Sequence, residues 1–156
     1  MKLSDFIVKD AIIPELRSTD RNGVIRELVE SLKKCGKIPA GEVEGIVRAV
    51  IQRENQGSTG FGKGVAVPHA KHAAIKRMVA TIGRSTAGVD FAALDRAPVY
   101  SVVLLLSPQD HPDEHLQAME NIFRHLQQDN FRRFLRQADT LESIVELIGE
   151  ADGSGS

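Results

Sequence analysis

Between Arg53 and Lys71 the chain reads RENQGSTGFGKGVAVPHAK, a run dense in side chains suited to anion chemistry. Arg53 can hold two oxygens of an oxyanion with its forked guanidinium. Gly57, Gly60, Gly62 and Gly64 let the backbone bend sharply and bring N–H groups against the same charge. Ser58 and Thr59 add hydroxyls. His69, directly after Pro68, supplies a ring nitrogen that is nucleophilic when neutral.

Taken singly, each part has a plainer reading. A histidine after a proline at a strand end is commonly a surface or capping residue, and glycine-rich turns commonly just connect elements. GFGKG lacks the GK[ST] ending and the spacing of a nucleotide-binding loop, so ATP binding is not expected. His72, His111 and His115 together suggest a metal cluster, but the spacing places His72 beyond the strand end and no carboxylate-ligand motif accompanies them. No metal is expected, and His72, His111 and His125 read as surface residues.

The elements that must position these groups are legible from periodicity. After a capping Asp20, Val24, Ile25, Leu28, Val29 and Leu32 predict a helix that Gly36 stops. Val43, Ile46, Val47, Val50 and Ile51 predict a second, with Arg53 and Glu54 on its last turn. VAVPH, the run from Met78 to Arg84 and the run from Val99 to Ser107 read as strands, the last buried on both faces. Pro112 opens a third helix with Leu116, Met119, Ile122, Phe123 and Leu126 on its apolar side and His115 at the border. A further helix carries Phe131, Phe134 and Leu135. The last opens on a capping-box-like Asp139 to Glu142, before Leu141, Ile144, Val145 and Ile148. Interspersed helices and strands predict an α/β fold, a small mixed β-sheet flanked by helices, in one domain over residues 1–150 with a flexible tail at 151–156.

Composition narrows the function classes. The 156 residues carry 20 Lys plus Arg against 21 Asp plus Glu, and a net charge of -1 argues against a dedicated nucleic-acid binder. With no Trp and one Tyr, a stacking platform for bases or sugars is not expected. The single cysteine, Cys35, cannot form an internal disulfide, in keeping with a cytoplasmic setting. No apolar stretch approaches the ~20 residues of a membrane-spanning helix, so no membrane insertion is expected.

As a unit, Arg53-Glu54, Ser58-Thr59-Gly60, Gly62 and Gly64-Val65-Ala66-Val67-Pro68-His69 resemble the active-site signature of a known family. It is the enzyme IIA component, mannitol/fructose type, of the phosphoenolpyruvate-dependent sugar phosphotransferase system, nitrogen-regulatory relatives included. His115 in DEHLQAMENIF, following VYSVVLLLS, matches the family's second histidine, and the resemblance extends over residues 3–149. It implies the mannitol/fructose-type IIA sandwich fold and a phosphoryl carrier. His69 would accept the group on Nε2 from the phosphohistidine of an HPr-like carrier and pass it to a cysteine of a IIB partner. His115 would bind the phosphoryl oxygens, and Arg53 would offset their charge. Thr59 and Ser58 would lie near as hydroxyl donors, and no cofactor is implied. The alternative is a regulatory IIA of the nitrogen type, whose phosphorylation state controls binding to transporters, kinases or transcription regulators. Phe61 has two readings, a docking contact beside His69 or a cap on the core, and the oligomeric state stays open.

Overall fold

The computed structural model describes residues 1–155. Asp20 caps α1 (Arg21–Lys34), accepting from the Gly23 N–H at 2.8 Å. A 3₁₀ turn at Ala40–Glu42 leads into α2 (Val43–Gln56). The apolar VAVPH run is not one strand. Pro68 has no N–H to give to a ladder, and the run divides into β1 (Val65–Ala66) and β2 (His69–His72). Thus His69 begins a strand rather than ending one, and His72, expected beyond the strand end, is the last residue of β2.

Long strands β3 (Val79–Val89) and β4 (Val99–Pro108) complete a four-stranded mixed sheet. Both β1 and β2 pair parallel with β4 in the same register, Val65 opposite Ser101 and His69 opposite Leu105. On the other side, β3 pairs antiparallel with β4 and its register shifts between Arg84 and Val89. That irregularity, around Ser85, Thr86 and the left-handed Gly88, carries β3 past the predicted end at Arg84. Beyond β3, the N-terminal segment touches the sheet through parallel bridges, Ile7 to Ala80, Ile13 to Gly83 and Asp20 to Asp90.

Alternation along β4 divides the core between two layers. Val102, Leu104 and Leu106 pack with α1 and α2, while Val103 and Leu105 pack with α3 (Pro112–Leu126), α4 (Asp129–Gln137) and α5 (Leu141–Gly155). This is the expected α/β architecture, a small mixed sheet with helices on both faces.

The α3 face differs from its predicted stripe. His115, Ala118, Asn121, Ile122, His125 and Leu126 are buried, while Met119 and Phe123 are half-buried and Leu116 is exposed. Polar groups on the helix find partners inside: Asn121 donates to the Met1 carbonyl at 2.9 Å, and the His125 ring lies 5.4 Å from Phe131. His125 is therefore an interior residue, not a surface one. Phe134 is likewise exposed, with the Arg133 guanidinium over its ring.

At the chain's end, Thr140 and Ser143 cap α5 reciprocally, in place of Asp139 and Glu142. The ordered structure continues past residue 150: Ala151 and Asp152 are buried, and the Asp152 carboxylate accepts from the Leu3 and Ser4 N–H groups at 2.7 and 3.2 Å. Residues 151–155, expected as a tail, are thus part of α5, and Ser156 lies outside the described residues.

Because Leu104 is fully buried at the centre of the sheet, Leu104→Ala is expected to lower unfolding stability by about 2–5 kcal/mol, measured by urea denaturation.

Candidate active site

Strand β2 and the start of α3 bring His69 and His115 together, with ring centroids 5.5 Å apart and planes tilted by 49°. His69 is fixed from within its own strand region. Its Nδ1 lies 2.8 Å from the carbonyl oxygen of Val67, which can only accept, so Nδ1 carries the proton and Nε2 keeps its lone pair. The His115 Nδ1 is in turn 2.7 Å from the hydroxyl of Ser107, buried on β4.

A depression of about 420 Å³ opens over the two rings, lined by Gln52, Arg53 and Gln56 of α2, Ala49 beneath them, His69, Ala70 and Lys71 of β2, and His115. Two cations, no carboxylate and two imidazoles make it an anion-receptive surface. Larger depressions lie elsewhere, one beside the N-terminal segment and one near Val89 to Pro98, but neither has a histidine on its wall.

Electrostatics hold both rings neutral. Burial pushes the His69 pKa below its ordinary value, and the Arg53 and Lys71 charges push the same way against the opposing Val67 hydrogen bond. His115 is driven down to about 4, chiefly by burial and then by the proximity of His69 and Lys71. A neutral His69 at physiological pH has an available nucleophilic nitrogen.

The α2 C-terminus and the glycine loop form a rigid wall. Arg53 donates to the Gly57 carbonyl at 2.9 Å across the end of its helix, and its side chain lines the depression. Glu54, buried, accepts from the Thr59 N–H at 3.1 Å and from the Thr59 hydroxyl. The expected role of Thr59 and Ser58 beside the anion is not supported by this arrangement. The Thr59 hydroxyl is committed to Glu54, the Ser58 hydroxyl accepts from the Gly60 N–H at 3.0 Å, and neither residue lines the depression. Gly64 serves the turn itself: its φ is +78° and a Cβ there would sit 3.1 Å from the Tyr100 ring.

The remaining candidates sort out clearly. Phe61 packs edge-on against Phe123 with centroids 5.2 Å apart, which makes it a cap on the core. The His72 Nδ1 accepts from the Ala74 N–H, and His111 is exposed at the start of α3. Among the described residues, no group of three or more His, Cys, Asp or Glu is placed to hold a metal ion, and no helix is long and apolar enough to cross a membrane. Sequence reasoning missed Ser107, and it gave Glu54 no role of its own although the motif pairs it with Arg53 at the mouth of the glycine loop.

Residues 5–151 match the family model of the phosphoenolpyruvate-dependent sugar phosphotransferase system, EIIA 2. The chain belongs to this family. Among its relatives, the fructose-specific EIIABC component of Bacillus subtilis (strain 168) is 32% identical over 97% of this chain, which spans only 24% of that longer protein. A nitrogen regulatory protein of Bradyrhizobium diazoefficiens is 28% identical over 95% of each chain. In structure, the nitrogen regulatory protein IIA-Ntr of Neisseria meningitidis superimposes with a TM-score of 0.83 at 25% identity, covering 94% of this chain and 98% of that one. The mannitol IIA of Escherichia coli gives 0.75 at 19% identity, covering 90% and 97%, and shares the fold.

In this EIIA 2 chain, both site histidines bind protons less readily folded than unfolded. Between the ordinary histidine value, about 6.5, and the lowered values the unfolded chain holds more protons, so stability falls as pH drops through that window. Urea midpoints measured from pH 7 to pH 4 are expected to decline, and His115→Gln should flatten part of that slope.

Proposed function

We propose that this chain is a phosphoryl carrier that accepts a phosphoryl group on His69 Nε2 from an HPr-like phosphohistidine and passes it to a IIB cysteine. The observation that carries this reading is the pinned His69 ring, with Nδ1–H spent on Val67 and Nε2 left as a nucleophile beside cations. In the accepting step, the Nε2 lone pair forms the new P–N bond. The donor's P–N bond breaks, and its electron pair returns to the donor imidazole. Donation reverses these roles: the IIB thiolate attacks phosphorus, an S–P bond forms, and the P–N electron pair returns to His69 Nε2. His69 ends as it began.

Phosphoryl transfer asks little of the protein beyond alignment and charge stabilisation. Arg53 and Lys71, on the wall of the depression, would offset the phosphoryl charge, and His115 would donate to one of its oxygens. The complex of mannitol enzyme IIA with phosphorylated enzyme IIB from Escherichia coli, similar to this chain at a TM-score of 0.74, supports a IIB partner by analogy of fold. HPr as donor follows from the active-site resemblance.

A second reading, regulation through the phosphorylation state of His69, is favoured by one observation. The nitrogen regulatory protein IIA-Ntr of Neisseria meningitidis superimposes on this chain at a TM-score of 0.83, above the 0.75 of the mannitol IIA. Discharge of the phosphorylated chain onto a IIB cysteine supports the transport reading, and binding to a partner that changes with phosphorylation supports the regulatory one.

The chemistry is tested by incubation with phosphoenolpyruvate, enzyme I and HPr, followed by intact-mass spectrometry at neutral to alkaline pH and peptide mapping. One acid-labile phosphoryl group on the His69 peptide is expected. His69→Ala should abolish acceptance, and His115→Ala should slow it by on the order of 10²-fold with the fold retained. Acceptance at the wild-type rate by His69→Ala would overturn the assignment.

A further inference from the structure

Ser107 stands at the C-terminal end of β4 with its side chain under the first turn of α3. It is opposite Lys71 in the sheet register, two residues beyond the Leu105 that faces His69. Residues alternating by two along a strand share a face, so His69, Lys71 and Ser107 are presented to the same side, where His115 closes over them. Ser107 is completely buried, and its hydroxyl has one hydrogen-bond partner, the His115 Nδ1 at 2.7 Å.

That single partner decides the direction of the bond. Were His115 to donate from Nδ1, the Ser107 proton would point into the interior with nothing to accept it, at the cost of an unsatisfied buried donor. With Ser107 donating, its proton is satisfied and Nδ1 is used as an acceptor. A neutral imidazole has only one N–H, which must then sit on Nε2.

We propose that Ser107 is a positioning residue that donates to His115 Nδ1, fixing His115 as the Nε2–H tautomer so that it presents a proton donor at the phosphoryl site. This rests on the reading of His69 as phosphoacceptor. The two histidines then carry opposite faces by design of the sheet: a Val67 carbonyl keeps the proton on Nδ1 of His69, and the Ser107 hydroxyl keeps it off Nδ1 of His115. One ring offers a lone pair and the other an N–H, the complementary pair needed to bond phosphorus and hold one of its oxygens.

The direction of the bond has a measurable sign. A hydroxyl that donates to Nδ1 stabilises the neutral ring, so its removal raises the His115 pKa; a hydroxyl that accepts from Nδ1–H stabilises the cation, so its removal lowers it. Nitrogen-15 NMR of the histidine-labelled wild type at pH 7.5 should show His115 protonated on Nε2. In Ser107→Ala, folded by circular dichroism, the His115 midpoint should move upward from about 4. Ser107→Thr, which keeps the hydroxyl, should restore it. Phosphoryl acceptance from phospho-HPr should fall about tenfold in Ser107→Ala, the scale of one ordinary hydrogen bond. A wild-type His115 protonated on Nδ1, or a midpoint that falls or stays in Ser107→Ala, overturns the proposal. If tautomer and midpoint behave as expected while wild-type His69 accepts no phosphoryl group, the carrier reading fails and the hold of Ser107 on His115 stands.

Discussion

The hydrogen bond from the His69 ring to the Val67 carbonyl spans the one place where the edge of the sheet is broken, and the site is organised around that break. Pro68 has no N–H, so the ladder with β4 lapses over Val67 and Pro68 and resumes at His69. Its own carbonyl still accepts from the Leu105 N–H at 3.0 Å, which keeps the two short strands in one register. Because the Pro68 carbonyl turns to β4, that of Val67 turns to the open edge, where the imidazole meets it instead of another backbone. An edge carbonyl two residues before the histidine thereby sets both the orientation and the protonation of the reactive ring.

Everything that faces this ring is anchored to a different layer. Arg53 arrives from α2 on one side of the sheet and His115 from α3 on the other, while Lys71 and Ser107 come from the strands between them. Such a site is only as accurate as the packing of both layers, which explains the rigid joint between α2 and the glycine loop. There the buried Glu54 is used entirely on the Thr59 backbone and hydroxyl. A buried carboxylate is costly unless its oxygens are bonded, and here that requirement ties the loop to the helix that carries Arg53.

Local pattern revealed the helices α1 and α2, the two long strands and the histidine segment, because each carries either a 3.6-residue apolar period, a β-branched run or a dense motif. It did not reveal the rotation of α3. Leu116 looked like a core residue, His115 like its border and His125 like a surface residue, yet the helix buries both histidines and leaves Leu116 in water, because Ser107 on the preceding strand and Phe131 on the following helix pack against them. Thr59 misled for the opposite reason: a hydroxyl beside the anion loop suggests a ligand donor, and only the fold shows that Glu54 takes it. Ser107 carried no signal at all, since a serine ending an apolar strand gives no hint of the ring packed above it.

The segment before α1 adds one more consequence. Its backbone reaches β3 at separate points, Val8 to Ala80, Ile13 to Ile82 and Leu16 to Arg84, with a 3₁₀ turn at Lys9–Ala11 between them. Behind it, the buried Arg84 donates to the Pro14 and Arg136 carbonyls and fastens the segment to α4. Eleven residues of β3 would otherwise offer a continuous row of unpaired amides and carbonyls to any extended chain. An irregular strap satisfies those groups without itself becoming a regular edge, so the sheet is guarded against edge-to-edge aggregation by a piece of chain too uneven to recruit a further strand.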